Sequence, residues 1–257
     1  MKPSNLEILK KSFDIQAKNF DSNKYHLSKK EYLDYMVAKT SPKETDNVLE
    51  VAAGTCVCGR ALSPYVSHII CLDATETMLK IGKEECEKSG IHNITQIKGY
   101  AEELPFLDNG FDIVISRLAF HHFESPDIIF KEMKRVLKPT GKLVMIDMVA
   151  GDEKLTASVD RIEIMRDPSH IRNLTLDEMQ KLYINNNIKL EMQEVTDIEV
   201  SLENWLDLTK TPFEVREQVR KLIRNDIEKG EVTGFSPYFV DKDIYFTHHW
   251  VYNIGIK

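Results

Sequence analysis

The stretch Asn47–Asp73, NVLEVAAGTCVCGRALSPYVSHIICLD, constrains the fold of this chain more than any other. An apolar run, Val48–Val51, ends in the small-residue turn Ala52-Ala53-Gly54-Thr55. A helix is expected from Cys58 to about Tyr65, followed by a second apolar run, His68–Leu72, that closes on Asp73. Strand, turn, helix, strand, acid is a βαβ unit, which takes ligands at the carboxyl ends of its strands. Small residues let backbone N–H groups approach a ligand closely, and a carboxylate after the second strand can accept both hydroxyls of a ribose. Asp73 follows Gly54 by 19 positions, close to the roughly 20 expected of an adenosine-binding acid. The stretch reads as a nucleoside cradle.

The remaining chain decides what surrounds that cradle. With 257 residues it can bury one large α/β domain, and 42% hydrophobic with 29% charged residues is a globular composition. A net charge of −7 argues against nucleic-acid binding, which calls for a basic stripe. No apolar run approaches the ~20 residues of a membrane span, and the start, MKPSNLEILKKSFD, lacks the pattern of a signal peptide. Cys56, Cys58, Cys71 and Cys86 show no disulfide spacing, so a reduced, cytoplasmic protein is expected, as a monomer or homodimer.

In chain order, Leu6, Leu9 and Phe13 recur at helical spacing, and Ser28-Lys29-Lys30-Glu31 has the form of a capping box. Between them, Gln16–Leu27 is either a lid over a cofactor or a solvated connector. Helix Thr75–Ser89 should turn Met78, Leu79, Gly82 and Cys86 inward. Strands are expected at Ile94–Lys98, Phe111–Ser116 and Lys142–Val149, with a helix opened by Ser125-Pro126 before the last. Alternating strands and helices mean a mainly parallel sheet covered on both faces. Beyond it, 151–173 reads as irregular or partly helical. Thr175-Leu176-Asp177-Glu178 caps a helix, Ile188–Val200 is a strand, and helices fall near Leu202–Leu208 and Pro212–Lys229, the latter capped by Thr211. Ile244–Ile256 alternates as a strand that can run antiparallel at the sheet edge. The parts are 1–46, a helical lid; 47–150, the α/β core; and 151–257, substrate-side helices with the last two strands.

Five motifs then fall in order: VLEVAAGT (48–55), CLDATETML (71–79), GYAEELPFLDNGFDIVIS (99–116), RLAFHHF (117–123) and EMKRVLKPTGKLVMIDM (132–148). RDPSH (166–170) and the start Phe13-Asp14-x-Gln16-Ala17 add to them. On these residues the chain resembles class I S-adenosylmethionine-dependent methyltransferases, and is most similar to the ubiquinone/menaquinone C-methyltransferase branch (methyltransferase type 11). The resemblance implies a Rossmann-like, seven-stranded α/β sheet with an antiparallel last strand and helical additions after the fifth. It implies S-adenosyl-L-methionine as cofactor and a small-molecule methyl acceptor. The turn at Ala52 and Gly54 would face the methionine moiety, with Glu50 and Thr55 near its amino and carboxylate groups. Asp73 would hold the ribose hydroxyls, with Ala74 also at the cofactor. Met78 would pack by the adenine, and Tyr100, Ala101 and Glu102 would form the adenine-edge loop. Ser116 and Arg117 would stand beside the transferring methyl. Where the family usually has glycine this chain has Ala52 and Cys56, and where it has an acid, Tyr100.

Methyl transfer needs an acceptor positioned behind the methyl and, for many acceptors, relieved of a proton. His121, His122 and Arg117 follow the fourth strand at the edge where sites form, and are the catalytic candidates. Each has a plainer reading, as a packed or solvated histidine, or an arginine paired with a helix carboxylate. Cys56-Val57-Cys58 supplies too few ligands for a closed zinc site, so no metal is expected. His248 and His249 alternate faces and cannot chelate together. Trp205–Phe213 and Phe235–Phe239 are either an acceptor-pocket wall or a subdomain core. A dinucleotide oxidoreductase would share the acid but should carry G-x-G-x-x-G, and here only Gly54 and Gly59 are present. A relative that keeps the cradle and loses the chemistry is the remaining alternative.

Overall fold

The computed structural model describes residues 5–17, 20–22, 27 and 29–257. Helices α1 (Leu6–Gln16) and α2 (Lys30–Thr40) precede the sheet. The βαβ unit is β1 (Asn47–Val51), α3 (Val57–Leu62, continued by a 3₁₀ turn to Tyr65) and β2 (His68–Asp73). After it come α4 (Glu76–Lys88), β3 (Ile94–Lys98), β4 (Phe111–Arg117), a 3₁₀ turn Phe120–His122, α5 (Pro126–Val136) and β5 (Leu137–Val149). The second half adds α6 (Thr156–Arg166), α7 (Leu176–Asn185), β6 (Lys189–Ser201), α8 (Leu202–Leu208), α9 (Phe213–Lys229), β7 (Tyr238–Val240) and β8 (Asp243–Ile256).

The strands make one sheet in the order β3-β2-β1-β4-β5-β8-β6, with β7 paired to β8. β1, β2, β3, β4 and β5 pair in parallel, and β8 runs antiparallel to β5, β6 and β7. The expected seven strands with an antiparallel last one are therefore present, and β7 is an eighth, three-residue addition. β8 lies inside the sheet, between β5 and β6, and not at its edge. Alternate side chains build two cores. Val48, Ile113, Ile115, Val144 and Ile146 pack toward α3, α6, α8 and α9, while Leu49, Val51, Val114, Leu143 and Met145 pack toward α5 and α7. A strand buried on both faces is what a near-continuous apolar run requires.

Local signals explain some element ends. Thr175 and Glu178 close the capping box of α7, and Pro126 opens α5 at its first turn. Met78, Leu79, Gly82 and Cys86 are the buried residues of α4, as their spacing requires. Thr211 does not cap α9: Pro212 occupies that position, and the Thr211 hydroxyl pairs with Thr209 at 2.7 Å. Ser28 lies outside the described residues, and α2 begins after Lys29 without a side-chain cap.

Candidate active site

Three left-handed residues in five shape the turn after β1: Ala52 (φ 54°), Gly54 (φ 53°) and Cys56 (φ 61°). Only glycine enters this region freely, so Ala52 and Cys56 hold it at a cost of about 1 kcal/mol or more each. Neighbouring structure enforces the turn. The Gly54 N–H donates to Asp73 Oδ2 at 2.8 Å, and the Thr75 N–H to Asp73 Oδ1 at 2.7 Å. Asp73 thus binds the end of β2 to both flanking loops and keeps lone pairs for a ligand diol. Burial raises its pKa above the usual carboxylate value. On the far side, Gly82 of α4 fits directly under the turn; a Cβ there would lie 2.8 Å from the Thr55 carbonyl oxygen.

Glu50 is buried at the carboxyl end of β1, and accepts the amides of Gly59 (2.8 Å) and Cys58 (3.3 Å) and the Cys71 thiol (3.3 Å). Its carboxylate therefore also serves the start of α3, while its side chain still borders the cavity. The space these residues border amounts to about 970 Å³, the solvent at its mouth included. It runs from Glu50, Ala52 and Gly54 past Asp73, Ala74 and Met78 to Tyr100, Ala101 and Glu102. Leu9 and Phe13 of α1, with Phe20 and Leu27, cover it.

Two of the cofactor-binding candidates stand off this lining. Thr55 is buried and donates its hydroxyl to Asp21 at 2.5 Å, and Asp21 also pairs with Arg60. Ser116 is buried behind the cavity, and its hydroxyl has no partner among the described residues. Arg117 does border the cavity. Among the described residues it pairs with no helix carboxylate; its guanidinium lies 4.8 Å over the Trp250 ring and donates to the Leu27 carbonyl at 2.6 Å.

A second cavity of about 520 Å³ adjoins the first, and both are bordered by Phe13, Phe20, Leu27, Leu118 and His122. His121 and His122, neither solvated, stand at this junction with rings 4.2 Å apart, His121 on the second cavity alone. His121 Nδ1 is 2.5 Å from Asp147 Oδ1, and His122 Nδ1 is 2.9 Å from the Ser169 carbonyl. Burial works against a charged His121, yet Asp147, with Glu163 and Asp167, carries its pKa above the ordinary imidazole value. Burial and the neighbouring His121 push His122 down to about 3. Adjacent rings are thereby driven apart in proton affinity.

Further walls of this second cavity come from Glu163, Arg166 and Asp167, from His170 and His248, and from Trp205. Arg166 stacks 4.5 Å over Trp205 and donates to Glu163 at 3.2 Å. Asp167 accepts from Ser12 (2.6 Å) and Gln16 (3.0 Å), fastening α1 over the site. None of Asp147, Glu163, Asp167 or His170 was a candidate from sequence. RDPSH held three of the wall residues, and a lone acid within the apolar run LVMIDMV is the signal for Asp147. Of the aromatic segments, Trp205 reaches the cavity, Phe235 packs behind it at 5.5 Å, and Phe213 and Phe239 are exposed. His248 faces the cavity while His249 turns away to Asp197. The four cysteines are free and buried, and among the described residues no cluster suits a metal ion.

The model of a methyltransferase domain matches residues 49–145. The uncharacterized methyltransferase YcgJ of Bacillus subtilis is 30% identical over 190 residues, covering 74% of this chain and 75% of that one. The chain belongs to this methyltransferase family. The crystal structure of YcgJ superimposes with a TM-score of 0.81 at 28% identity, over 88% of this chain and 98% of the other. The demethylmenaquinone methyltransferase of Listeria welshimeri is 38% identical over 104 residues, 39% of this chain and 44% of that one. The Haemonchus contortus phosphoethanolamine N-methyltransferase 2, solved in complex with S-adenosyl-L-methionine, shares the fold. Its TM-score is 0.62 at 19% identity, over 95% of this chain and 56% of that one. In this methyltransferase the matched segment carries the β1 turn, Asp73 and the Tyr100 loop. The second cavity draws Glu163, Asp167 and His248 from beyond it.

Proposed function

We propose that the protein transfers a methyl group from S-adenosyl-L-methionine to a small molecule held in the second cavity. The observation that carries this is the joining of two cavities of different chemistry at Leu118 and His122. The first fits the cofactor's parts. Its turn is kept thin at Gly54, where a Cβ would contact Met78 at 3.4 Å in a left-handed conformation. Asp73 offers acceptors at the middle, and Met78 and Ala101 offer apolar surface at the far end. When bound, the cofactor supplies an electrophilic methyl on a sulfonium.

The chain's own residues do the rest. Asp73 orients the ribose, and Glu50 and the Gly54 turn hold the amino-acid end. Phe13, Phe20 and Leu27 exclude water from above, and 1–46 acts as a lid on the 47–150 core, with 151–257 shaping the acceptor side. Arg117, His121 and His122 stand at the acceptor's approach. No helix of the described residues is long and apolar enough to cross a membrane, and the free cysteines suit a reduced cytoplasm. The test is calorimetric titration with S-adenosylmethionine, S-adenosylhomocysteine and NAD(P), followed by methyl transfer to phenol, quinol, thiol and amine acceptors. Micromolar binding of the two sulfur compounds with turnover is expected. Binding of NAD(P) alone would overturn the proposal, and cofactor binding without turnover would leave a regulatory relative.

A further inference from the structure

We infer that Asp147 and His121 form a proton-accepting dyad on the wall of the second cavity. The molecule methylated there then carries a proton on its nucleophilic atom: a hydroxyl, a thiol or an activated carbon acid, and not a tertiary amine or a thioether. This deepens the methyltransferase reading and rests on it.

The geometry of Asp147 carries the argument. It is 1% exposed, at the carboxyl end of β5. Its Oδ1 accepts from His121 Nδ1 (2.5 Å) and the Met148 amide (2.7 Å), and its Oδ2 from the amides of Phe120 (2.6 Å) and His121 (3.3 Å). Four donors occupy this carboxylate, so it stays ionised and takes no proton itself; it acts through the ring it holds. An ionised carboxylate only accepts, which places the neutral ring's proton on Nδ1 and a bare lone pair on Nε2. That nitrogen has no hydrogen bond among the described residues, and its ring borders the second cavity.

Opposite this ring stand His122 on its own turn, Glu163 from α6, Asp167 and His170 from the following loop, and His248 from β8. Two of these are carboxylates in addition to Asp147, and they favour the imidazolium once it forms. Its neighbour cannot play the same part: His122 gives its Nδ1 proton to a neutral carbonyl and has been driven to low proton affinity. The step balances simply. The acceptor's X–H bond breaks, its electron pair stays on X as the nucleophile, and the proton joins His121 Nε2. The resulting imidazolium is paired to the Asp147 carboxylate until the proton leaves to solvent. An acceptor without such a proton would have no use for the dyad.

Asp147 is accordingly a positioning residue, and the test reads something beyond folding. Histidine ¹⁵N resonances would be titrated in the full chain, with and without S-adenosylhomocysteine. Neutral His121 is expected as the Nδ1–H tautomer, with its midpoint above the ordinary imidazole value. Asp147→Asn should lower that midpoint tenfold or more in proton affinity, and Asp147→Glu should restore it. An Nε2–H tautomer, or a midpoint indifferent to Asp147→Asn, overturns the dyad. Should Asp147→Asn not fold, the tautomer in the unaltered protein and the Asp147→Glu midpoint decide. With S-adenosylmethionine, catechol and 1,4-naphthoquinol would be compared with N,N-dimethylaniline and thioanisole. Transfer to the first pair that falls by about 10²–10⁴ in kcat in Asp147→Asn, with KM little changed, supports the inference. Equal transfer to the second pair overturns it. Failure to bind S-adenosylhomocysteine would sink the methyltransferase reading while the titration still reports on the dyad.

Discussion

Asp73 Oδ2 accepts the Gly54 amide at 2.8 Å, so the acid we propose for the ribose also fixes the turn we propose for the methionine end. Asp73→Ala should therefore lose both functions. Two backbone amides, that of Thr75 buried and that of Gly54 partly buried, would lose their acceptor, at about 1–3 kcal/mol each where left unsatisfied. Denaturant unfolding should show reduced stability, and calorimetry at least a tenfold loss in S-adenosylhomocysteine affinity. Unchanged affinity would dismiss Asp73 as the ribose acid.

Gly82→Ala should act on the same turn from beneath. The added Cβ would sit 2.8 Å from the Thr55 carbonyl oxygen and 2.9 Å from Cys56 Sγ, and backbone cannot yield as a side-chain tip can. We expect a loss of about 1–3 kcal/mol, the usual cost of overpacking, together with weaker cofactor binding. Gly90→Ala is the control: its Cβ meets nothing within 4 Å but φ is +65°. It should cost about 1 kcal/mol in stability and leave binding alone.

Acid should destabilise the protein early, through His122. Its folded-state pKa, about 3, lies below the ordinary 6.5, so between those values the unfolded chain binds the proton and the folded one does not. Stability is then complete above about pH 6.5 and declines as pH falls toward 3. His122→Asn, which keeps an N–H for the Ser169 carbonyl, should flatten that decline in urea unfolding measured across the interval. Glu163, held down to about 2 against burial by His248 and Arg166, adds a later loss. Its contribution is whole above the ordinary 4.5 and fades as pH approaches 2.

Asp167→Ala should free α1. The carboxylate holds Ser12 and Gln16 across the site, and charge-assisted bonds of this kind are worth about 1.5–3 kcal/mol each. Amides of residues 6–16 are expected to exchange ten- to hundredfold faster in hydrogen–deuterium exchange, with β1 and β4 unchanged. Equal protection in the variant would show that α1 is held by its apolar face alone.

The first cavity was legible because its parts lie close together along the chain. Apolar runs mark β1 and β2, small residues mark the turn between, and Asp73 stands where a βαβ unit needs an acid. The left-handed backbone at Ala52 and Cys56 was visible only as two missing glycines. The second cavity was legible only in pieces, as His121, His122 and Trp205, and not as a whole, since α1, the 120–122 turn, α6 and β8 meet there from distant stretches; Ser12 and Asp167 are 155 positions apart. α6 itself escaped clear definition because its apolar residues gather on no one face. Asp147 was overlooked although an acid amid LVMIDMV has no reason to be buried unless something binds it. β7, at three residues, is shorter than any alternation can signal.

The seat of β8 between β5 and β6 has a consequence for how the polypeptide comes into being. As it leaves the ribosome, β5 has an open side still without its partner, and β6 emerges before β8, the one strand among the described residues that pairs with it. The second half must wait, its backbone groups unpaired, until β8 threads into the gap and closes both sides together. Such late, long-range closure slows folding and leaves a sticky edge in the interim. Nascent chains stalled before Asp243 should therefore be captured by chaperones and cut by protease within 151–242, while 47–136 already resists.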